Sequence, residues 1–128
     1  MGRLDGRSAA GQSTVELVLA LPIVVLSLLL VLQVAIVARA QVLVVDAARE
    51  GARAAAVSGS VDDAVAAARA TPGLGPQLVD VDASIGPPGG DARVVVRYRV
   101  PTDVALVGPL VGDPVLTATV VMRVEGSS

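Results

Sequence analysis

Residues 11–16, Gly11-Gln12-Ser13-Thr14-Val15-Glu16, lead directly into LVLALPIVVLSLLLVLQVAIVA at residues 17–38. The second stretch carries no charge, and as a helix rising about 1.5 Å per residue it is about 33 Å long, the hydrocarbon thickness of a bilayer. It reads as a membrane segment. Too few residues precede it to fold, and roughly ninety follow it. The chain is therefore organised as a short tail, one span and one small domain.

Working outward from the span, the helical pattern continues through residues 41–57, which contain no Pro and are dominated by Ala, Val and Arg. Asp46, Arg49, Glu50 and Arg53 fall at i, i+3, i+4 and i+7 and share one solvated face, where Asp46 with Arg49 and Glu50 with Arg53 form two expected ion pairs. Opposite them runs a stripe of small residues, Val44, Ala47, Ala48, Gly51, Ala52 and Ala55, which lets another backbone or a sheet approach closely. Gly51 costs about 1 kcal/mol relative to Ala inside a helix, which suggests close packing at that point. Unbroken from Ser13 to Val57, the helix would be about 67 Å long.

Ser58-Gly59 ends this helix, and Ser60 with Asp63 three residues later resembles a cap for a short helix at residues 61–70. The run Thr71-Pro72-Gly73-Leu74-Gly75-Pro76 breaks it. Period-two alternation predicts strands at residues 78–85, 92–100 and 115–124. Their inward sets are Val79, Val81, Ala83 and Ile85; Val94, Val96, Tyr98 and Val100; and Leu116, Ala118, Val120, Met122 and Val124. Gly86-Pro87-Pro88-Gly89-Gly90-Asp91 makes the first two strands a hairpin, placing Asp80 and Asp82 near Arg97 and Arg99. Residues 102–113 carry too much Gly and Pro to assign to an element, and the tail at residues 125–128 is expected to fray.

Three strands with one apolar face cannot bury that face alone, and the small-residue stripe is the nearest cover. The fold class is α+β: a long N-terminal transmembrane helix continuing into a small head with a short helix and a three-stranded antiparallel sheet. The expected divisions are a leader at residues 1–11, the long helix at 12–57 with its span at 17–38, and a head at 58–128. With one Tyr and no Phe or Trp, the core is Val, Leu and Ala, giving a marginally stable head that gains from packing against partners.

Composition excludes several functions. Apolar residues make up 53% of the chain and the net charge is −2, a near balance that gives no electrostatic reason to expect nucleic acid. With no Cys and no His, disulfides, thiolate metal sites and the usual general base are missing. The acidic clusters Asp62-Asp63 and Asp80-x-Asp82 have neither the ligand count of a calcium loop nor a partner for acid–base work, and read as solvated surface. No cofactor, metal or small-molecule substrate is expected, and the chain is not read as an enzyme.

Glu16 stands at the edge of an apolar span, where a carboxylate is costly and functional by default. Cleavage after Gly11 would expose a new amine on Gln12 and make Glu16 the fifth residue of the mature chain. Gly, four residues, Glu and then about twenty apolar residues resembles the class III signal of type IV pilins and pseudopilins. Val15-Glu16-Leu17-Val18-Leu19-Ala20-Leu21-Pro22 and Asp46-Ala47-Ala48-Arg49-Glu50-Gly51-Ala52-Arg53-Ala54-Ala55 resemble, in particular, the TadE-like family of minor pseudopilins. The first is similar to that family's Val-Glu…Leu-Pro pattern, and Ala48, Arg49, Glu50, Gly51, Ala52 and Arg53 are similar to its Ala-Ala-Arg-Glu-Gly-Ala-Arg pattern.

The resemblance implies a pilin-like fold and a structural, non-catalytic role in assembling Flp pili of the tight-adherence type. It implies a prepilin peptidase cutting between Gly11 and Gln12 on the cytoplasmic face, with Glu16 neutralising the freed amine of a neighbouring subunit. Paired in this way, two charges beside a low-dielectric phase are each better tolerated. Pro22 frees the Val18 carbonyl one turn back and is expected to kink the span. The mature chain would begin with Gln12 in place of the methylated aromatic residue of many type IV pilins. Leu17 follows Glu16 where the small major pilins of this system have Tyr, which argues for a minor component.

The implied partners are membrane lipid, a prepilin peptidase, the Flp-type pilin, other pseudopilins and the pilus assembly platform. The implied location is the bacterial cytoplasmic membrane, with the N-terminus cytoplasmic and the head outside. Arg3 and Arg7 before the span are matched by Arg39, Arg49 and Arg53 after it, so charge alone does not fix this orientation. An alternative stays open: Ala38-Arg39-Ala40 is an A-x-A sequence, and cleavage after Ala40 would release a small secreted domain.

Overall fold

The structure, a computed structural model, describes residues 5–101 and 108–126. Arg3 of the leader, the first part of the 102–113 connection and Ser127-Ser128 of the tail lie outside the described residues. Helix α1 runs from Asp5 to Ser58 and passes through Pro22 without ending. It starts eight residues before Ser13, so the leader from Asp5 on and the segment after it are helical together, with no break at Gly11. The Ala, Ser and Gln that flank Gly11 extend the helix of the span backwards at little cost in propensity.

Gly59, at φ 67°, closes α1 in the left-handed conformation that suits glycine. Its amide donates to the Ala55 carbonyl at 2.9 Å. Ser60 then caps helix α2, Val61–Arg69, its side chain accepting from the Asp63 amide at 3.4 Å. Asp62 and Asp63 in the first turn and Arg69 in the last suit the helix dipole. Two residues thus fold α2 back along α1.

A 3₁₀ turn at Pro76–Leu78 leads into strands β1 (Val79–Ile85), β2 (Asp91–Arg99) and β3 (Val115–Arg123), with the short helix α3 (Gly108–Val111) between β2 and β3. The sheet is antiparallel in the order β1-β2-β3. Gly86 donates to the Asp91 carbonyl at 2.9 Å and Gly90 to that of Pro87 at 2.7 Å, which closes the expected hairpin. Val124 bonds both Gly89 and Gly90, tying this loop to the end of β3.

The inward sets face the helices as the alternation predicts. Val44, Ala47, Ala48, Ala52 and Ala55 of α1, Ala64 and Ala68 of α2, and Ala92, Val94 and Val96 of β2 are fully buried in one core. Its largest fully buried side chains are Val44, Val94, Val96 and Val100. Gly51 lies where α1, α2 and β2 meet: a methyl added there would sit 3.1 Å from the Ala64 carbonyl oxygen, 3.1 Å from Val94 Cγ1 and 3.2 Å from Ala68 Cβ. Close packing therefore explains a glycine in mid-helix.

The sheet lies along the second half of α1. Glu125, just past β3, donates its amide to the Ala56 carbonyl at 3.1 Å, so the first residue of the tail is held. Tyr98 and Val100, at the other end of the sheet, share a cleft with Ile36, Ala40 and Leu43.

One of the two surface expectations needs correction. Asp46 and Arg49 pair at 3.7 Å, but Glu50 and Arg53 stay on the exposed face and, among the described residues, have no ion-pair partner. A surface pair gains too little to offset the entropy of holding two long side chains. On the sheet the expectation holds: Asp80 meets Arg97 at 3.4 Å and lines one surface groove with Arg97 and Arg99, and Asp82 lines the next with Arg97.

Candidate processing and assembly site

Gly11, Gln12 and Glu16 occupy the first half of α1, and all three are exposed. A side chain added at Gly11 would meet nothing within 4 Å. Gln12 and Glu16 are four residues apart in a continuous helix, so they lie on one face about 6 Å apart. Among the described residues Glu16 has neither an ion-pair nor a hydrogen-bond partner. Its carboxylate is open to an approaching group.

Around and after Glu16 the helix is apolar on every side. Val15, Leu17, Leu19, Leu21, Ile23, Leu28, Val31 and Val34 are among its exposed side chains. A helix apolar all round must be covered by protein or by lipid, and the most apolar 18-residue window here has none of its residues buried. This is a candidate membrane span, and it is not the core helix of a soluble domain. Ser27 satisfies its hydroxyl within the helix, donating to the Ile23 carbonyl at 2.8 Å, and Thr14 does the same to Ala10 at 2.9 Å. Pro22 stands within this stretch.

The second motif divides by face. Ala48, Gly51 and Ala52 enter the core, while Arg49, Glu50 and Arg53 remain in solvent. The structure therefore separates the two candidate groups: Gly11, Gln12 and Glu16 lie at the far end of the apolar stretch, and the residues at 48–53 lie in the head.

One residue escapes the sequence reading. Gln33, inside the apolar run, is only 3% exposed, and among the described residues neither its Nε2 nor its Oε1 has a hydrogen-bond partner. The available signal was an amide in an otherwise apolar stretch, a residue type that bonds between helices in membranes.

Fold and site together define a class of protein: a small α+β head carried on one helix long and apolar enough to cross a membrane. The comparison with protein families places a name on the N-terminal part. The family model described as TadE-like protein matches residues 11–53, which bears out the resemblance read from the motifs. The match opens on Gly11 and closes on Arg53, so it holds every candidate residue and leaves most of the head outside. No curated protein and no solved structure matches the chain.

Proposed function

We propose that this chain is a minor pseudopilin of the TadE-like kind, acting as a structural, non-catalytic component in the assembly of Flp-type pili. The family match and the apolar helix fit a Tad pilus-related protein. The observation that carries the finer reading is Glu16, an exposed carboxylate without a partner among the described residues, at the start of a largely exposed apolar helix and five residues after Gly11. A charge in that position is stabilised by an opposite charge from outside the chain.

In this reading a prepilin peptidase cuts between Gly11 and Gln12 on the cytoplasmic face, and the mature chain keeps α1 from Gln12 onward. Both residues lie within α1, so the first turns must open locally for the bond to enter a protease. Gly11 and Gln12 are exposed, and an exposed helix turn near a terminus opens at low cost. Glu16 then meets the new amine of a neighbouring subunit. Pro22 bends the span, and the head stands outside the cytoplasmic membrane beside the major pilin, other pseudopilins and the assembly platform. In the head, Ala48, Gly51 and Ala52 hold the helix to the sheet, while Arg49, Glu50 and Arg53 remain for contacts between subunits.

Glu16→Ala tests the pairing. Membrane insertion and leader removal are expected to persist while piliation falls, and normal piliation by this variant would contradict the role given to Glu16.

A further inference from the structure

Where the exposed apolar part of α1 gives way to the head, α1 and the end of β2 enclose a cleft of about 240 Å³. Ile36, Leu43, Val100 and Pro101 form its apolar walls, and Arg39 and Tyr98 supply its side-chain donors. We propose that this cleft holds the phosphate headgroup of an anionic phospholipid. The inference rests on the reading of α1 as a membrane span.

Three observations carry it. Arg39 is the first charged residue after the apolar run and is exposed. Among the described residues it has no ion-pair partner, and no acidic side chain lines the cleft. Tyr98, the only aromatic residue of the chain, is 7% exposed and lines the same cleft as Arg39; among the described residues its hydroxyl has no hydrogen-bond partner. A phenol, with an apolar ring and a polar tip, suits a boundary between apolar and wet surroundings. Finally, the cleft opens at the level where residues 17–38 reach the membrane surface, since Arg39 follows them directly.

A phosphate answers both donors. Guanidinium binds phosphate through paired, charge-assisted hydrogen bonds, and the Tyr98 hydroxyl can donate to another phosphate oxygen. The apolar walls suit the glycerol and the upper acyl carbons, while the Arg39 stem lies along apolar surface with its head in the interface. Arg and Tyr at this depth match the polar anchors of membrane boundaries.

The test uses the full-length protein in detergent, titrated with phosphatidylglycerol or phosphatidylcholine and read by native mass spectrometry for retained lipid. Phosphatidylglycerol is expected to be retained preferentially. Arg39→Gln should lower that retention about fivefold, the factor matching ~1 kcal/mol for one basic residue at an anionic surface. Tyr98→Phe, which keeps the ring, should lower it by a smaller factor. Arg123→Gln, at the opposite end of the sheet, should leave it unchanged. Equal retention of the two lipids, or equal losses in the Arg39 and Arg123 variants, would overturn the site. A carbonate wash of membranes separates the two readings. Protein that stays in the membrane without lipid preference overturns this inference alone, and protein that washes off overturns the span as well.

Discussion

Gly51→Ala sets two known effects against each other at one position. In an open helix the substitution stabilises by about 1 kcal/mol, because Ala restricts the unfolded chain and covers the backbone. Here the new methyl would lie 3.1–3.2 Å from three neighbours, inside ordinary contact distance. Two of these, the Ala64 carbonyl oxygen and Ala68 Cβ, belong to or sit directly on the α2 backbone, so they yield only if α2 shifts. The third, Val94 Cγ1, is fully buried and cannot rotate away freely. Overpacking of this kind costs about 1–3 kcal/mol. The net expectation is a destabilisation of about 0–2 kcal/mol for Gly51→Ala, with Gly51→Val clearly worse because it adds two more methyls without the propensity gain of Ala. Urea unfolding of the full-length protein in detergent, followed by the fluorescence of Tyr98 in the core, measures the head without interference from another aromatic residue. A rise in stability of about 1 kcal/mol for Gly51→Ala would refute the close crossing of α1, α2 and β2.

Other substitutions probe separate parts of the fold. Gln33→Leu removes two buried polar atoms that lack partners among the described residues and should stabilise the protein by about 1–3 kcal/mol, raising its thermal midpoint in detergent; a lower midpoint would show that the amide is satisfied. Ser60→Ala removes a cap whose hydrogen bond is long at 3.4 Å, so the loss should fall near the lower end of the usual range, about 0.5–1 kcal/mol by urea unfolding. A loss above about 2 kcal/mol would assign Ser60 another role. A tag fused to the head should be accessible only from outside the cytoplasmic membrane, and access only from the cytoplasm would reverse the proposed orientation.

Much of the fold was legible because each element carries an uncluttered period. The alternation of Val94, Val96, Tyr98 and Val100 against Arg93, Arg97 and Arg99 identifies both the strand and its buried face. The small-residue stripe Val44, Ala47, Ala48, Gly51, Ala52 and Ala55 identifies the cover for the sheet, and it is this stripe that enters the core. The start of α1 at Asp5 was not legible, because Gly, Ser and Arg before Gly11 show no apolar face, while a helix already nucleated by the span extends through them readily. The ion pairs were half legible. Spacing along α1 shows which residues can meet, but on an exposed face the gain is too small to decide which do. On the sheet, the outward halves of the two alternations were enough to bring Asp80 and Asp82 beside Arg97 and Arg99. Of the site, Glu16 was visible as a charge out of place, whereas the cleft at Arg39 and Tyr98 depends on two segments far apart in sequence meeting at the base of the head.

The claim that the chain is a processed pseudopilin stands most directly on the N-terminus of the mature protein. Intact-mass and peptide mass spectrometry of native protein from cells with an active prepilin peptidase should find a chain that begins at Gln12 and stays in the membrane fraction. A chain retaining Met1, or one beginning at Gln41 in the soluble fraction, would contradict it.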